Sequence, residues 1–276
     1  MTAAERADVD AILARRHGNG GDYWATPDGR IYVGSPFSTL SSLGMLHELG
    51  VPASHEAVRG GLDLVLAAWR DDGRIRLGPT APLYPCYTAE AARILCRYGY
   101  AEDERVQLTA AYLLEDAHET GGWRCNFTRF GKGPETRWAN PGATLFVLDV
   151  LRFTGHADVR DPVAQAVESL LRHWESRAPC GPCHYGIGSR FLQVEYPFLR
   201  YNLFSYVYVL SFYDAARGDP RFGAAADMLA GKLDAEGRMV VEAPHRGLKG
   251  LRFCARGQPS APATERYREI AANLEP

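Results

Sequence analysis

The sequence predicts an all-α fold: an α/α toroid or partial toroid of about four to five inner–outer helical hairpins around a central cavity, in a single domain over residues 1–276. Three observations carry that expectation. A proline stands fourteen residues ahead of a glycine three times, as Pro36 with Gly50, Pro85 with Gly99 and Pro141 with Gly155. Proline suits the first turn of a helix, and glycine the residue just past its end. The stretches ahead of the glycines are apolar nearly all round, as in Thr144–Phe153 and Asn202–Tyr213, the pattern of a buried helix. The stretches that follow are one-sided: Val58, Leu62, Val65, Leu66 and Trp69 fall on one helical face, as do Val163, Ala166, Val167, Leu170, Leu171 and Trp174. Inner and outer helices therefore alternate, and such pairs bury their apolar faces only by stacking side by side.

In order along the chain, Thr2–Arg16 reads as a leading outer helix, closed by an Asp28-Gly29-Arg30 turn within residues 1–30. Four inner–outer pairs occupy 31–240, the last outer helix carrying Phe222, Ala225, Ala226, Leu229 and Leu233. Glycine turns follow the outer helices at Asp71-Asp72-Gly73-Arg74, Glu119-Thr120-Gly121-Gly122-Trp123 and Asp234-Ala235-Glu236-Gly237-Arg238. The third outer helix ends instead at Ala178-Pro179-Cys180-Gly181-Pro182-Cys183-His184. Residues 241–276 read as a tail with a closing helix, Pro262–Leu274, on the outer layer like the leading one. The connections 124–140 and 179–200 are long, and long ordered loops are more often functional than decorative. Each runs from an outer-helix end to an inner-helix start. Cys86, Cys125, Cys180, Cys183 and His184 therefore share one end of the bundle, and Cys96 lies at the other.

Composition sets bounds. An apolar content of 46% supports a real core, and 31 basic against 33 acidic residues leave a charge of −2. That balance supplies no field to attract nucleic acid or an anionic membrane. No stretch approaches the roughly 20 uninterrupted apolar residues of a membrane span. Residues 1–16 are charged throughout with no apolar signal core, so a cytoplasmic location is expected. With that expectation, six cysteines read as reduced thiols or a metal site rather than a disulfide framework. The sequence sets no oligomeric state.

Ala110-Ala111-Tyr112-Leu113-Leu114 followed by Gly121-Gly122-Trp123 resembles the repeat of protein prenyltransferase β-subunits and squalene or hopene cyclases. The copies ending at Gly73 and Gly237 are degenerate, with Ile75 and Met239 in place of the aromatic. Phe191–Arg221 resembles the last repeat of small bacterial prenyltransferase/squalene cyclase-like proteins, and the resemblance runs from about Tyr32 to Met239. It implies a hydrophobic, isoprenoid-like small molecule in the central cavity and cyclisation or prenyl transfer as the reaction. Two departures stand out. The Asp-x-Asp-Asp acid of the cyclases is absent, and no element matches the Asp-x-Cys of the zinc-holding prenyltransferases. Lanthionine cyclases hold zinc with a separate Cys and a Cys-His pair; Cys183-His184 is similar to that pair, and Cys86-Tyr87 to the separate ligand, by analogy only. The alternative is a non-catalytic toroid that binds a lipid-like ligand or a peptide.

Cys180-x-x-Cys183-His184 has ligand-like spacing for Zn²⁺, with Cys125 or Cys86 as a further donor. The bland alternative is a Pro/Gly-rich turn with buried thiols. Cys86 follows Pro85 in the first turn of an inner helix, where the helix N-terminus favours a thiolate; it is a candidate nucleophile or ligand, or simply central packing. Arg124, Arg129, Lys132 and Arg137 stand against Glu135, with Trp123, Phe127, Phe130 and Trp138 nearby and Asn140 starting the next helix. This is either a seat for an anionic group beside an apolar pocket or a solvated basic loop. Glu195 and Tyr201 are acid–base candidates if they face the cavity, with Tyr87, Arg190, Tyr196 and Asn202 as binding candidates. Glu195 has the alternative of pairing with Arg190 or Arg200. Asp149, mid-helix, needs a partner or carries a raised pKa.

Overall fold

A computed structural model describes residues 2–125, 132–156 and 160–275. The helices among them are α1 (Ala3–Leu13), α2 (Thr39–Glu48), α3 (Glu56–Ala67), α4 (Pro85–Arg97), α5 (Glu104–Glu115), α6 (Pro141–Leu151), α7 (Arg160–Ser176), α8 (Leu203–Leu210), α9 (Asp214–Arg217), α10 (Pro220–Ala230) and α11 (Ala261–Leu274). Only isolated bridges represent β structure among these residues.

The proline–glycine frame marks the helices as expected. Pro85 and Pro141 open α4 and α6, and Gly50, Gly99 and Gly155 end α2, α4 and α6 with positive φ of 73°, 87° and 73°. Pro36 differs. It precedes α2, whose start is set by Ser38 accepting from Ser41 N. The fourth inner helix is shorter than its apolar run, stopping at Leu210 before the brief α9. Helices α2, α4, α6 and α8 pack in sequence, and α3, α5, α7 and α10 each back their own inner partner.

The last helix departs from the sequence expectation. Instead of capping the outer layer, α11 packs on α8 and sends Arg266 to Glu48 at the end of α2, Nε to Oε2 2.8 Å. It stands as a fifth inner helix and closes the ring. A repeated contact fixes its register. Thr88, Thr144 and Thr264 each occupy the fourth position of their helix. Their hydroxyls accept from the backbone N–H of Ile75 (3.2 Å), Trp123 (3.1 Å) and Met239 (3.0 Å), the buried residue just after each glycine turn. All three hydroxyls serve donors that would otherwise be buried without a partner. The degenerate turns therefore keep the backbone contact and replace only the aromatic. Trp123 adds an indole donor to Leu113 O at 2.5 Å, and Trp24 does the same to Ile12 O at 3.0 Å after α1. The tail is tied back to the start by Asp8, which accepts from Arg252 N and Phe253 N at 2.9 and 2.7 Å.

Candidate active site

Helix α4 carries Cys86, Glu90, Arg93 and Arg97 at i, i+4, i+7 and i+11, one polar stripe on an otherwise apolar inner helix. That stripe enters the ring centre, where an apolar cavity was expected. The centre is instead charged and almost full. Its cavity has a volume of about 10 Å³, lined by Leu40, Glu48, Glu90, Arg93, Arg97 and Phe198 among others. Such a space holds about one water molecule.

Ion pairs fill the rest. Arg97 contacts Asp149 at 2.8 Å and Glu48 at 3.5 Å, and Arg152 contacts Asp149 at 2.7 Å. Arg93 reaches Asp149 at 3.9 Å, lies 4.0 Å over the Phe146 ring and donates to Phe198 O at 2.9 Å. Burial opposes the charge on Asp149, but Arg97, Arg152 and Arg93 outweigh it and hold its pKa well below the usual range. Glu48 is treated alike: burial raises, Arg266 and Arg97 lower more, and the net shift is down. Burial pushes Arg93 down to about 10. Asp149 is thus a bridge between inner helices, the structural alternative for that residue.

Glu90 is the exception in this network. It lines the small cavity, half-buried, and no described residue hydrogen-bonds its carboxyl. Burial raises its pKa, opposed only by Arg93. Desolvation of this kind favours the protonated form. The sequence reading passed over Glu90, Arg93, Arg97, Glu48, Arg152 and Arg266. The available signal was the 86–90–93–97 spacing on an inner helix.

The candidates named from sequence fall into three groups. In the first, Cys86 and Cys125 meet with sulfurs 3.0 Å apart, and Cys183 also lies against Cys125. Asn140 caps α6 through Oδ1, accepting from Ala143 N at 2.9 Å. Cys125 and burial raise the Cys183 pKa, and the nearby Asn140 Nδ2, which makes no hydrogen bond, offsets that only in part. Tyr87 packs nearby on Tyr32 and Tyr84, ring centroids 5.2 and 5.9 Å away.

In the second group, the structural alternative holds. Glu195 is buried against Arg200 at 3.4 Å, and burial raises its pKa. Tyr201 faces the α7 side, its hydroxyl 2.8 Å from His173 Nδ1 and its ring on Phe191. Tyr196 is fully buried and donates to Glu48. Asn202 caps α8 in a reciprocal box with Ser205. Arg124 has a buried Nε without a hydrogen bond, while Arg137, Trp138 and Arg190 are exposed.

In the third, the four named zinc ligands do not gather. Cys125 and Cys183 are neighbours, but Cys180 lies near Tyr201, and His184 stands exposed with Glu135 at 3.7 Å. Among the described residues no group of three or more His, Cys, Asp or Glu side chains is arranged to hold a metal ion. Despite the i, i+3 spacing, the two thiols have different neighbours, Tyr201 for Cys180 and Cys125 for Cys183. Arg129, Phe127 and Phe130 lie outside the described residues.

Two larger spaces are present, and the second opens onto the central Glu48 and Arg97. A groove of about 960 Å³ runs between α7 and the Glu119–Gly121 and Trp138–Pro141 segments, and a recess of about 380 Å³ reaches Arg97, Arg152 and Arg266 from the opposite end of the ring.

Comparison with solved structures decides the fold. The type II terpene cyclase MstE from Scytonema, in complex with its substrate geranylgeranyl dihydroxybenzoate, superposes with a TM-score of 0.53 at 14% identity, covering 98% of this chain and 81% of that one. The chain has the α/α toroid fold of the terpene cyclases. Apo MstE aligns at 15% identity with a TM-score of 0.51 over 96% of this chain and 80% of that chain. The complex with the product merosterolic acid A aligns at 13% and 0.50, over 98% and 81%. No protein-family model matches the chain, and no curated protein matches it in sequence. In the cyclase-like ring described here, no helix among the described residues is long and apolar enough to cross a membrane.

Proposed function

We propose that this chain is an acid catalyst on a hydrophobic, isoprenoid-like small molecule, with Glu90 as the proton donor. The carrying observation is Glu90 itself: a carboxyl on the central cavity whose pKa burial raises and that no described residue hydrogen-bonds. Cyclases of this fold need an acid in the ring to start an alkene cascade, and the Asp-x-Asp-Asp acid is absent here. Proton addition to an alkene carbon and proton loss from a neighbouring carbon balance as an isomerisation, so Glu90 is regenerated through solvent exchange. Leu40, Ile94, Phe198 and Leu199 supply apolar contacts beside it. Substrate entry displaces the Pro197–Leu199 segment, which Arg93 holds through Phe198 O. Cyclisation is preferred to prenyl transfer because the acid is at hand, whereas the zinc ligands suggested by sequence are not gathered.

The cavity volume of about 10 Å³ favours a second reading, a non-catalytic toroid that binds a lipid-like ligand. Incubation with geranylgeranyl-bearing aromatic acids and linear polyprenes, read by mass spectrometry and thermal shift, separates the two. The acid reading expects a cyclised product with native protein, and ligand-induced stabilisation without product with Glu90→Gln. Stabilisation without product in both proteins supports the non-catalytic reading. No shift and no product removes both.

A further inference from the structure

The thiol cluster has no part in the acid reading and stands independently of it. Cys86 comes from the first turn of α4, Cys125 from the loop after α5 and Cys183 from the loop after α7. Three separate segments therefore deliver sulfur to one place. Cys125 is the common neighbour: Cys86 Sγ donates to Cys125 Sγ across 3.0 Å, and Cys183 also lies against it. Cys86 and Cys183 are half-buried, so a molecule the size of water reaches them, while Cys125 is buried beneath. No disulfide joins any of the six cysteines, and no metal-holding group forms among the described residues. The other three thiols are isolated and buried: Cys96 beside Asp149, Cys180 near Tyr201, Cys254 near Asp8.

We propose that Cys86, Cys125 and Cys183 form a redox-active thiol site in which Cys125 takes either neighbour as disulfide partner, with a small peroxide as oxidant. The chemistry balances. The solvent-facing Cys86, as the thiolate, attacks a peroxide oxygen, the O–O bond breaks, and a sulfenic acid and water form once the leaving hydroxide takes a proton. The Cys125 sulfur then attacks the Cys86 sulfur, expelling the hydroxyl as water with the Cys125 proton. Two thiols and one hydrogen peroxide give one disulfide and two waters. Cys183 is placed for exchange: its thiolate attacks Cys125 sulfur and releases Cys86 as the thiol. The assignment departs from the sequence pattern, in which Cys180 and Cys183 form the obvious pair. The structure turns those two toward different neighbours.

The test is stoichiometric hydrogen peroxide on the purified full-length chain, followed by alkylation and peptide mass spectrometry. The expected result is loss of two of the six alkylatable thiols and a linked peptide joining Cys125 to Cys86 or Cys183. Cys86→Ser is expected to redirect the link to Cys125–Cys183, and Cys125→Ser to abolish it; circular dichroism establishes that both variants fold. A Cys180–Cys183 link overturns the proposal. So does oxidation of single thiols to sulfinic or sulfonic acid with no link, or a stoichiometric metal that protects the three thiols.

Discussion

Arg97 of α4 donates to Asp149 of α6 at 2.8 Å in the centre of the ring, and the same guanidinium lies 3.5 Å from Glu48 of α2. One side chain thereby ties three consecutive inner helices. Both Arg97 and Asp149 are buried, so each depends on the other for the charge it keeps. Removing one member of such a pair leaves an uncompensated buried charge.

Asp149→Ala is expected to lower unfolding stability by about 3–5 kcal/mol, the range for breaking a buried ion pair from one side. Urea denaturation followed by circular dichroism measures it. A loss under about 1 kcal/mol, the level of an exposed pair, would show that the network is solvated.

The pH dependence follows from the same groups, with opposite signs. Asp149 and Glu48 have pKa values held below their unfolded ones, which are about 3.9 and 4.3. Their stabilisation is complete above those unfolded values and is lost as pH falls through the folded ones. Glu90 is raised by burial. Its contribution is complete below about pH 4.3 and is lost as pH rises through its folded value. Glu90→Gln should therefore be more stable than the native chain at pH 8, with the difference closing toward pH 4. Melting temperatures of the two proteins across that range check it. A constant difference would contradict a raised Glu90 pKa.

Thr264→Val keeps the side-chain shape and removes the acceptor of the Met239 N–H. An orphaned buried donor costs about 1–3 kcal/mol. A loss of that size, read by denaturant titration, supports α11 as an inner helix in register with α4 and α6. The equivalent change at Thr144, which serves Trp123 N–H, should cost a similar amount.

Metal analysis of tag-free protein is expected to show well under one equivalent of zinc. The basis is the separation of Cys180 and His184 from Cys125 and Cys183. One equivalent of zinc, with unfolding on chelation, would show that the loop rearranges around metal.

Much of the fold was legible in particular residues. Pro85, Pro141, Gly50, Gly99 and Gly155 mark helix ends because their backbone preferences are local. The all-apolar runs of α6 and α8 declared their burial. The place of α11 was not legible, because its half-exposed pattern suits an outer helix. Only Pro262 and Thr264, repeating the spacing of Pro141 and Thr144 less one residue, hinted at an inner position. The site was legible in part. Cys86, Cys125 and Cys183 share the loop end of the ring, which the order of helices makes legible, whereas sequence spacing pairs Cys183 with Cys180. Glu195 and Tyr201 were named for their chemistry; Arg200 and His173 account for them.

The sequence by itself determined an alternation of inner and outer helices and the end of the ring to which each loop belongs. Those follow from periodicity and from residues that act on their own backbone. The tertiary structure decided what occupies the centre: Glu48, Asp149, Arg93, Arg97, Arg152 and Arg266 paired across four helices, with Glu90 left over. Partners as far apart as Glu48 and Arg266 carry no local signal, since a buried charge is defined by what packs against it and not by its neighbours in the chain.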